Sequence, residues 1–551
     1  MSIKQQMRKL TQRNLSQEFD CLNSLQKTPW VINKPLLELV RTLWDSGQEW
    51  AGLPAREDIP LPSYPFDKDP QEMADEEKSM FIEWAKKRRD IYRLNARSVS
   101  KRIQIERTLQ VAQDYAKYDQ FYYVWQNDFR GRKYASATFL SPQSADWSKA
   151  FLMFRDGVAI NNWDDARWLC IHGANLYGND KITLDMRESW CWDNVYEFKR
   201  VVDNPFDNLY WLDADKPFQF LAWCMEFVEF VKVGWGFESR LPVSADGSCN
   251  GLQHLSAILR DVRGGEATNL LPNTLPQDIY SEVASDALRA IEKDASEGHE
   301  IAQQCKQFGI DRSVCKRPVM IVPYSGTKHA CRQYIEDALR EKIQKGAENT
   351  FGSDLFQPSL YLSNHVWDSI NGVIQSARRV MDYVKQVGDC YADQHKHMEW
   401  VTPTNFLVMQ HYNDQEHKRI KTYINGSVVS LQNHKDIDGR VNKRRSGNGS
   451  SPNFIHSLDA SAMTKTINEC TRQGISNYAM VHDSYGTHST HMPRMSEILR
   501  EEFVKMYEQH DVLDELRSHA VQELGTDDIP HPPSKGDLDL QMVLKSDYFF
   551  A

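Results

Sequence analysis

No run of eighteen apolar residues occurs in the chain, so a membrane-spanning helix is not expected. The most apolar stretch, Phe218 to Trp235, is interrupted by Glu226, Glu229 and Lys232, which suits a helix of a folded core. The amino-terminal sequence MSIKQQMRKLTQRN has no hydrophobic segment, and no signal peptide is expected there. Ten cysteines are scattered without a C-x-x-C or a paired Cys/His cluster. Their spacing argues against a disulfide framework and a structural zinc, and for reduced thiols in a cytosol. Internal repeats and long low-complexity tracts are also lacking. Positive charge is in deficit: the net charge is −10, which taken alone speaks against a nucleic-acid partner.

The distribution of charge says otherwise. Glu83 to Arg107 holds nine Lys/Arg against three Asp/Glu, and Lys418 to Arg445 holds eight against two. Two basic stretches on an acidic body suit a phosphate-binding groove, because counterion release depends on local contacts; two solvated faces are the alternative. The length of 551 residues allows roughly three or four domains. Residues 15 to about 117 read as helical, broken by a Pro-rich acidic connection from Pro54 to Pro70. Within them Lys86, Arg89, Arg93, Arg97 and Lys101 recur at three- and four-residue steps, a basic stripe on one helix face. Residues 118 to 160 turn aromatic and β-like, and tryptophan-rich helical sequence fills 161 to 236. Leu241, Val243 and Ala245 alternate with polar neighbours as in a half-buried strand. Helical patterns dominate 274 to 400, with a break expected near PSL and YLSN. Asn425-Gly426 and Asp438-Gly439 suggest hairpin turns within 418–441, and SGNGSSP (446–452) reads as a flexible connector before a final α/β segment.

Two aspartates stand out by context. Asp246 ends the alternating strand and precedes Gly247-Ser248, while Asp483 follows an apolar run and sits in a tight turn, HDSYG. Carboxylates on adjacent strand ends can hold a pair of Mg²⁺ ions ~3.5–4 Å apart for phosphoryl displacement; singly, each is an ordinary turn former. In DRSVCKRPVMIVPYSG, Arg312, Lys316, Met320 and Tyr324 are spaced by four. On a continuous helix, two cations and an aromatic ring would share one face, where triphosphate oxygens need cations and Lys316 can protonate a departing pyrophosphate. Pro318 and Pro323 complicate that helix, which would begin or kink at Pro318.

Taken together, LPVSADGSCNGLQHLSAILRD, DRSVCKRPVMIVPYSG and SPNFIHSLDASAM with YAMVHDSYGTHS resemble motifs A, B and C of the phage- and mitochondrial-type single-subunit RNA polymerases. TPWVINKPLLELV, NDFRGRKYASATFLSPQ and the terminal PPSKGDLDLQMVLKSDYFFA look like further family segments, so the resemblance runs from about residue 20 to Ala551. It implies an α+β, mainly helical, right-hand fold with an antiparallel palm sheet. Its parts would be a thumb at 15–117, palm at 118–160, a helical palm insertion at 161–236, and palm with motif A at 237–262. Fingers at 263–456 would include a specificity hairpin at about 412–445, and 457–551 would supply motif C and a carboxyl-terminal foot.

By motif, the resemblance makes Asp246, Asp483 and the Gly247 carbonyl the ligands of two Mg²⁺ ions. Arg312 and Lys316 would bind the triphosphate, with Lys316 the general acid. Tyr324 would monitor the sugar, Met320 would pack by the nascent pair, and Tyr280 and His456 would position nucleotide and ribose. Arg130, Arg132 and Tyr134 would contact the hybrid backbone, and the thumb cations Arg93, Arg97 and Lys101 the nucleic acid. The implied activity is DNA-templated RNA synthesis from NTPs, with template and transcript as partners and a bacterial cytoplasm as the setting. Small residues after Asp246 leave room for a ribose 2′-hydroxyl. A family A-like DNA polymerase or primase-like enzyme, or a catalytically silent DNA-binding initiation factor, are the alternatives. Two departures stand out. Nothing matches the family's amino-terminal domain, so promoter opening is expected to fall to a companion protein. Ser325 follows Tyr324 where the family usually has glycine.

Overall fold

Helices supply most of the fold; strands Asn413–Ile424 and Ser427–Val441 apart, the described strands are three or four residues long. The structure, a computed structural model, describes residues 2–66, 71, 73–324, 326–352, 354–424 and 427–551. Among the described residues the strands form six antiparallel pairs. Trp30–Ile32 pairs with Leu152–Phe154, which places a strand inside the stretch expected to be helical. Both Trp30 and Phe154 are buried, and burial on a sheet face overrides the helical pattern around them. Val243–Asp246 pairs with Ser484–Thr487, bringing together segments more than 230 residues apart. Leu241, Val243 and Ala245 are buried, as their alternation predicts.

The tryptophan-rich segment packs helix Trp163–Tyr177 against helix Pro217–Val233. A Cβ at Gly173 would fall 2.2 Å from the Trp223 ring, so only glycine permits this approach. Glu226, a charge within the most apolar stretch, accepts from Ser239 Oγ at 2.8 Å and from Arg240 N at 2.7 Å. Its burial is thereby satisfied. Helix Asp75–Tyr115 carries the basic stripe and buries side chains only between Ile105 and Ala112. No described helix is long and apolar enough to cross a membrane, and all ten cysteines are unpaired.

Three local expectations are corrected. SGNGSSP is not a connector but the start of helix Lys443–Arg472, capped by Asn442, whose side chain accepts from Arg445 N. Its small residues are there for close packing: a Cβ at Gly449 would meet the Tyr412 ring at 2.7 Å, and Ser446, Ser450 and Ser451 are buried. Helix Phe356–Val373 runs unbroken through PSL and YLSN, because Pro358 sits in its first turn, where its missing N–H costs nothing. Asp438-Gly439 does not turn a hairpin. It lies within strand Ser427–Val441, which pairs with Asn413–Ile424, and the register shifts there between Asn413 and Gln415. Gly439 has φ +76° in that irregularity. Asn425-Gly426 and Ser325 lie outside the described residues.

Buried neutral histidines couple this packing to pH. Burial pushes His254 down to about 3 and His488 down to about 4. His254 Nδ1 lies 2.6 Å from the Tyr507 hydroxyl, and His488 Nε2 lies 2.9 Å from the Asp156 carbonyl. Between those values and ~6.5 the unfolded chain binds protons that the fold excludes, so stability rises with pH across that window and levels off above it. At pH ~4 each ring costs about 3 kcal/mol of stability. Thermal melts from pH 4 to 7 should show this slope, and His254→Gln should flatten it; an unchanged slope in the variant would contradict the assignment.

Candidate active site

The strand register sets the site. Asp246 lies opposite Ser484, so Asp483 sits one residue beyond the ladder, beside it. Gly247 N–H donates to the Asp483 carbonyl at 3.1 Å. Val481 and Ser484 exchange backbone hydrogen bonds at 3.0 and 2.8 Å, closing a two-residue turn over His482 and Asp483. His482 takes φ +52° there, the left-handed conformation a turn this tight demands. Gly247 bridges to Phe550, and a Cβ on it would meet that ring at 2.9 Å. The chain's last residues are thus seated on the strand end, with Ala551 N 3.4 Å from the Asp246 carbonyl.

Both aspartates open into a cavity of about 510 Å³, which also takes in Lys149, Lys216, Tyr280, Arg312, Lys316 and Tyr324. Lys216 Nζ is 3.4 Å from Asp246 Oδ2. Partial desolvation in the cavity would raise the Asp246 carboxyl, but Lys216, the Ser484 side chain and Lys149 together hold it below the usual carboxylate range. Asp483 goes the other way: burial, with the negative charges of Asp459 and Asp246, pushes it up to about 6. Two carboxylates and a nearby carbonyl, all lining one cavity, form an all-oxygen donor set, which fits Mg²⁺.

The helix Arg312–Ile321 begins at Arg312, capped by the Asp311 side chain, which accepts from Ser313 N. Pro318 lies inside this helix, which does not start there. It ends before Tyr324, which belongs to a 3₁₀ turn, Val322–Tyr324. Arg312, Lys316, Met320 and Tyr324 nevertheless all line the cavity. Arg312 Nε donates to Asp278 Oδ2 at 2.7 Å, and its guanidinium lies over the Tyr280 ring at 5.3 Å. Burial and the neighbouring Arg312 charge lower Lys316, which makes it a better proton donor than an ordinary lysine.

A second layer joins the remaining expected residues. The His456 ring packs on Tyr324 with centroids 4.7 Å apart, and its Nδ1 lies 2.7 Å from Arg130 Nη1. Arg130 also bonds Asp128, at 2.6 and 2.9 Å, and Tyr134 packs edge-on against His482 at 4.9 Å. Arg132 is engaged by Asp459, which is almost wholly buried. Arg93, Arg97 and Lys101 are exposed on helix Asp75–Tyr115 and do not line the cavity. Lys149, Lys216, Asp278 and Asp459 escape the sequence reading. Asp459 had a signal, standing three residues after His456 on one helix face. Lys216, thirty residues before Asp246, had none.

This arrangement predicts polyphosphate affinity. Inorganic tripolyphosphate with Mg²⁺ should bind in calorimetry, and Lys316→Met or Arg312→Met should each weaken it about tenfold, ~1.4 kcal/mol. Affinity that ignores both substitutions would rule out this side of the cavity as the phosphate site.

Residues 161–529 match the family model described as DNA-dependent RNA polymerase. The chain is 33% identical to DNA-directed RNA polymerase 2, chloroplastic/mitochondrial, of Arabidopsis thaliana, over 97% of this chain and 52% of that protein. It is 32% identical to the DNA-directed RNA polymerase of Enterobacteria phage T3 and 30% identical to the T7 RNA polymerase of Escherichia phage T7. Each match covers 97% of this chain and 64% of the relative. The chain therefore spans between half and two-thirds of the length of these relatives.

Proposed function

Because this chain belongs to the phage-type DNA-dependent RNA polymerase family, we propose that it synthesises RNA on a DNA template by nucleotidyl transfer from NTPs. The observation that carries the reading is the pairing of Asp246 with the Asp483 turn in a cavity whose other wall holds Arg312 and Lys316. Asp246, Asp483 and the Gly247 carbonyl would hold two Mg²⁺ ions. When bound, these supply activation of the primer 3′-hydroxyl and stabilisation of charge on the leaving group.

The chain's own residues do the rest. Arg312, held by Asp278 and Tyr280, grips the triphosphate; Lys316 binds beside it and gives its proton to the departing pyrophosphate. Lys216 and Lys149 add positive charge on the side of Asp246. Tyr324, backed by His456 and through it Arg130, forms the surface against which base and sugar are placed, with Met320 beside it. Ser248 and Cys249, small side chains that line the cavity after Asp246, would leave space for a ribose hydroxyl. The right-hand arrangement belongs to the same proposal. Helix Asp75–Tyr115 would be the thumb and lay Arg93, Arg97 and Lys101 along nucleic acid, and hairpin 413–441 would be the specificity element. A companion protein that opens promoters is its last part. Strong preference for premelted over duplex templates supports that part, and equal promoter-specific synthesis on both counts against it.

Primer extension on an RNA–DNA scaffold tests the core reading. Extension should occur with NTPs and Mg²⁺, and Asp483→Asn should lower it by at least about 1000-fold. Preferential use of dNTPs would instead favour a DNA polymerase, and no extension with either would favour a silent factor.

A further inference from the structure

Away from the cavity, three ring nitrogens of two neighbouring histidines are shielded from solvent yet have no hydrogen-bond partner: Nδ1 of His397 and both nitrogens of His411. A neutral imidazole must carry its proton on one of its nitrogens. Whichever nitrogen of His411 bears it is therefore a buried donor with no acceptor, an arrangement rare in folded proteins. The two rings lie 4.7 Å apart, inclined by 64°.

That spacing has a chemical reading. An ion about 2.0–2.1 Å from one nitrogen of each ring, at a ligand angle of roughly 90–110°, sets the ring centres about 4.5–5.2 Å apart. Glu399 acts electrostatically on both rings and Asp436 on His397.

Two other clusters are less suited. Glu399, His519 and Glu523 converge, but Lys9 already sits among them, 2.6 Å from Glu399 and 3.3 Å from Glu523. His417 and His434 face each other across the exposed hairpin, and their Nδ1 atoms satisfy one another at 2.5 Å.

We propose that His397 and His411 bind a divalent transition-metal ion of the zinc class. His397 stands two residues before strand Glu399–Val401, and His411 two residues before strand Asn413–Ile424. The ion cross-links these two connections and stiffens the root of hairpin 413–441. Neither ligand lines the cavity, so the site stands independently of the catalytic reading.

The test uses the untagged full chain, stripped with chelator and titrated with Co²⁺ by visible absorption and with Zn²⁺ by calorimetry. One site of micromolar affinity is expected, weakened at least about 100-fold by His411→Gln and unaffected by His417→Gln or Glu523→Gln. His411→Cys keeps a ligand and should retain Co²⁺ while adding thiolate absorption, which separates lost ligation from lost folding. Absence of binding, binding that survives His411→Gln, or binding lost only with His417→Gln or Glu523→Gln would each overturn the proposal.

Discussion

The antiparallel pairing of Val243–Asp246 with Ser484–Thr487 is the constraint on which the site depends, because its register decides where two carboxylates meet. With Ser484 opposite Asp246, the turn that follows Val481 can hold Asp483 beside its partner. A slip of one residue would send alternate side chains to the other face and separate them. The register is held by apolar burial on one side, through Val243, Ala245 and Tyr485. It is held at its end by Phe550, whose ring leaves no room for a side chain at position 247. Burial is the largest cause of the raised Asp483 carboxyl, and the charges of Asp459 and then Asp246 add to it.

Around this pair the molecule invests in rigid support. Arg132 with Asp459 and Arg130 with His456 tie the turn containing residues 128–132 to helix Lys443–Arg472. A buried ion pair is poor evidence for stability but good evidence for a fixed geometry once both partners are satisfied. Beneath it, Lys133 Nζ meets Glu18 at 2.8 Å, and both side chains are almost fully buried. Glu18 in turn accepts from Asn127 and Thr404, so an amino-terminal helix, a strand and the long helix share one polar knot. These contacts connect parts of the chain that the family resemblance treats as separate segments.

Much of the site was legible in the sequence because it is local. Asp246 and Asp483 each follow an apolar stretch and sit at a turn, and Arg312, Lys316 and Met320 share a helix period. What was missed is either long-range or compositional. Lys216 reaches Asp246 only because the fold closes a loop of thirty residues, and Asp278 matters only through Arg312. SGNGSSP misleads because small polar residues signal flexibility when exposed and tight packing when buried, and sequence alone does not reveal which face meets Tyr412. Trp30–Ile32 misleads because three residues are too few for a period to show.

The central claim is that Asp246 and Asp483 share one metal-binding centre, and iron-directed cleavage tests it most directly. Fe²⁺ replacing Mg²⁺, with ascorbate and peroxide, cuts the backbone close to where the ion is held. Cuts near both 246 and 483 that fade together as Mg²⁺ is added are the predicted result. Cuts at one strand only, or concentrated near Glu399 and Glu523 instead, would contradict it.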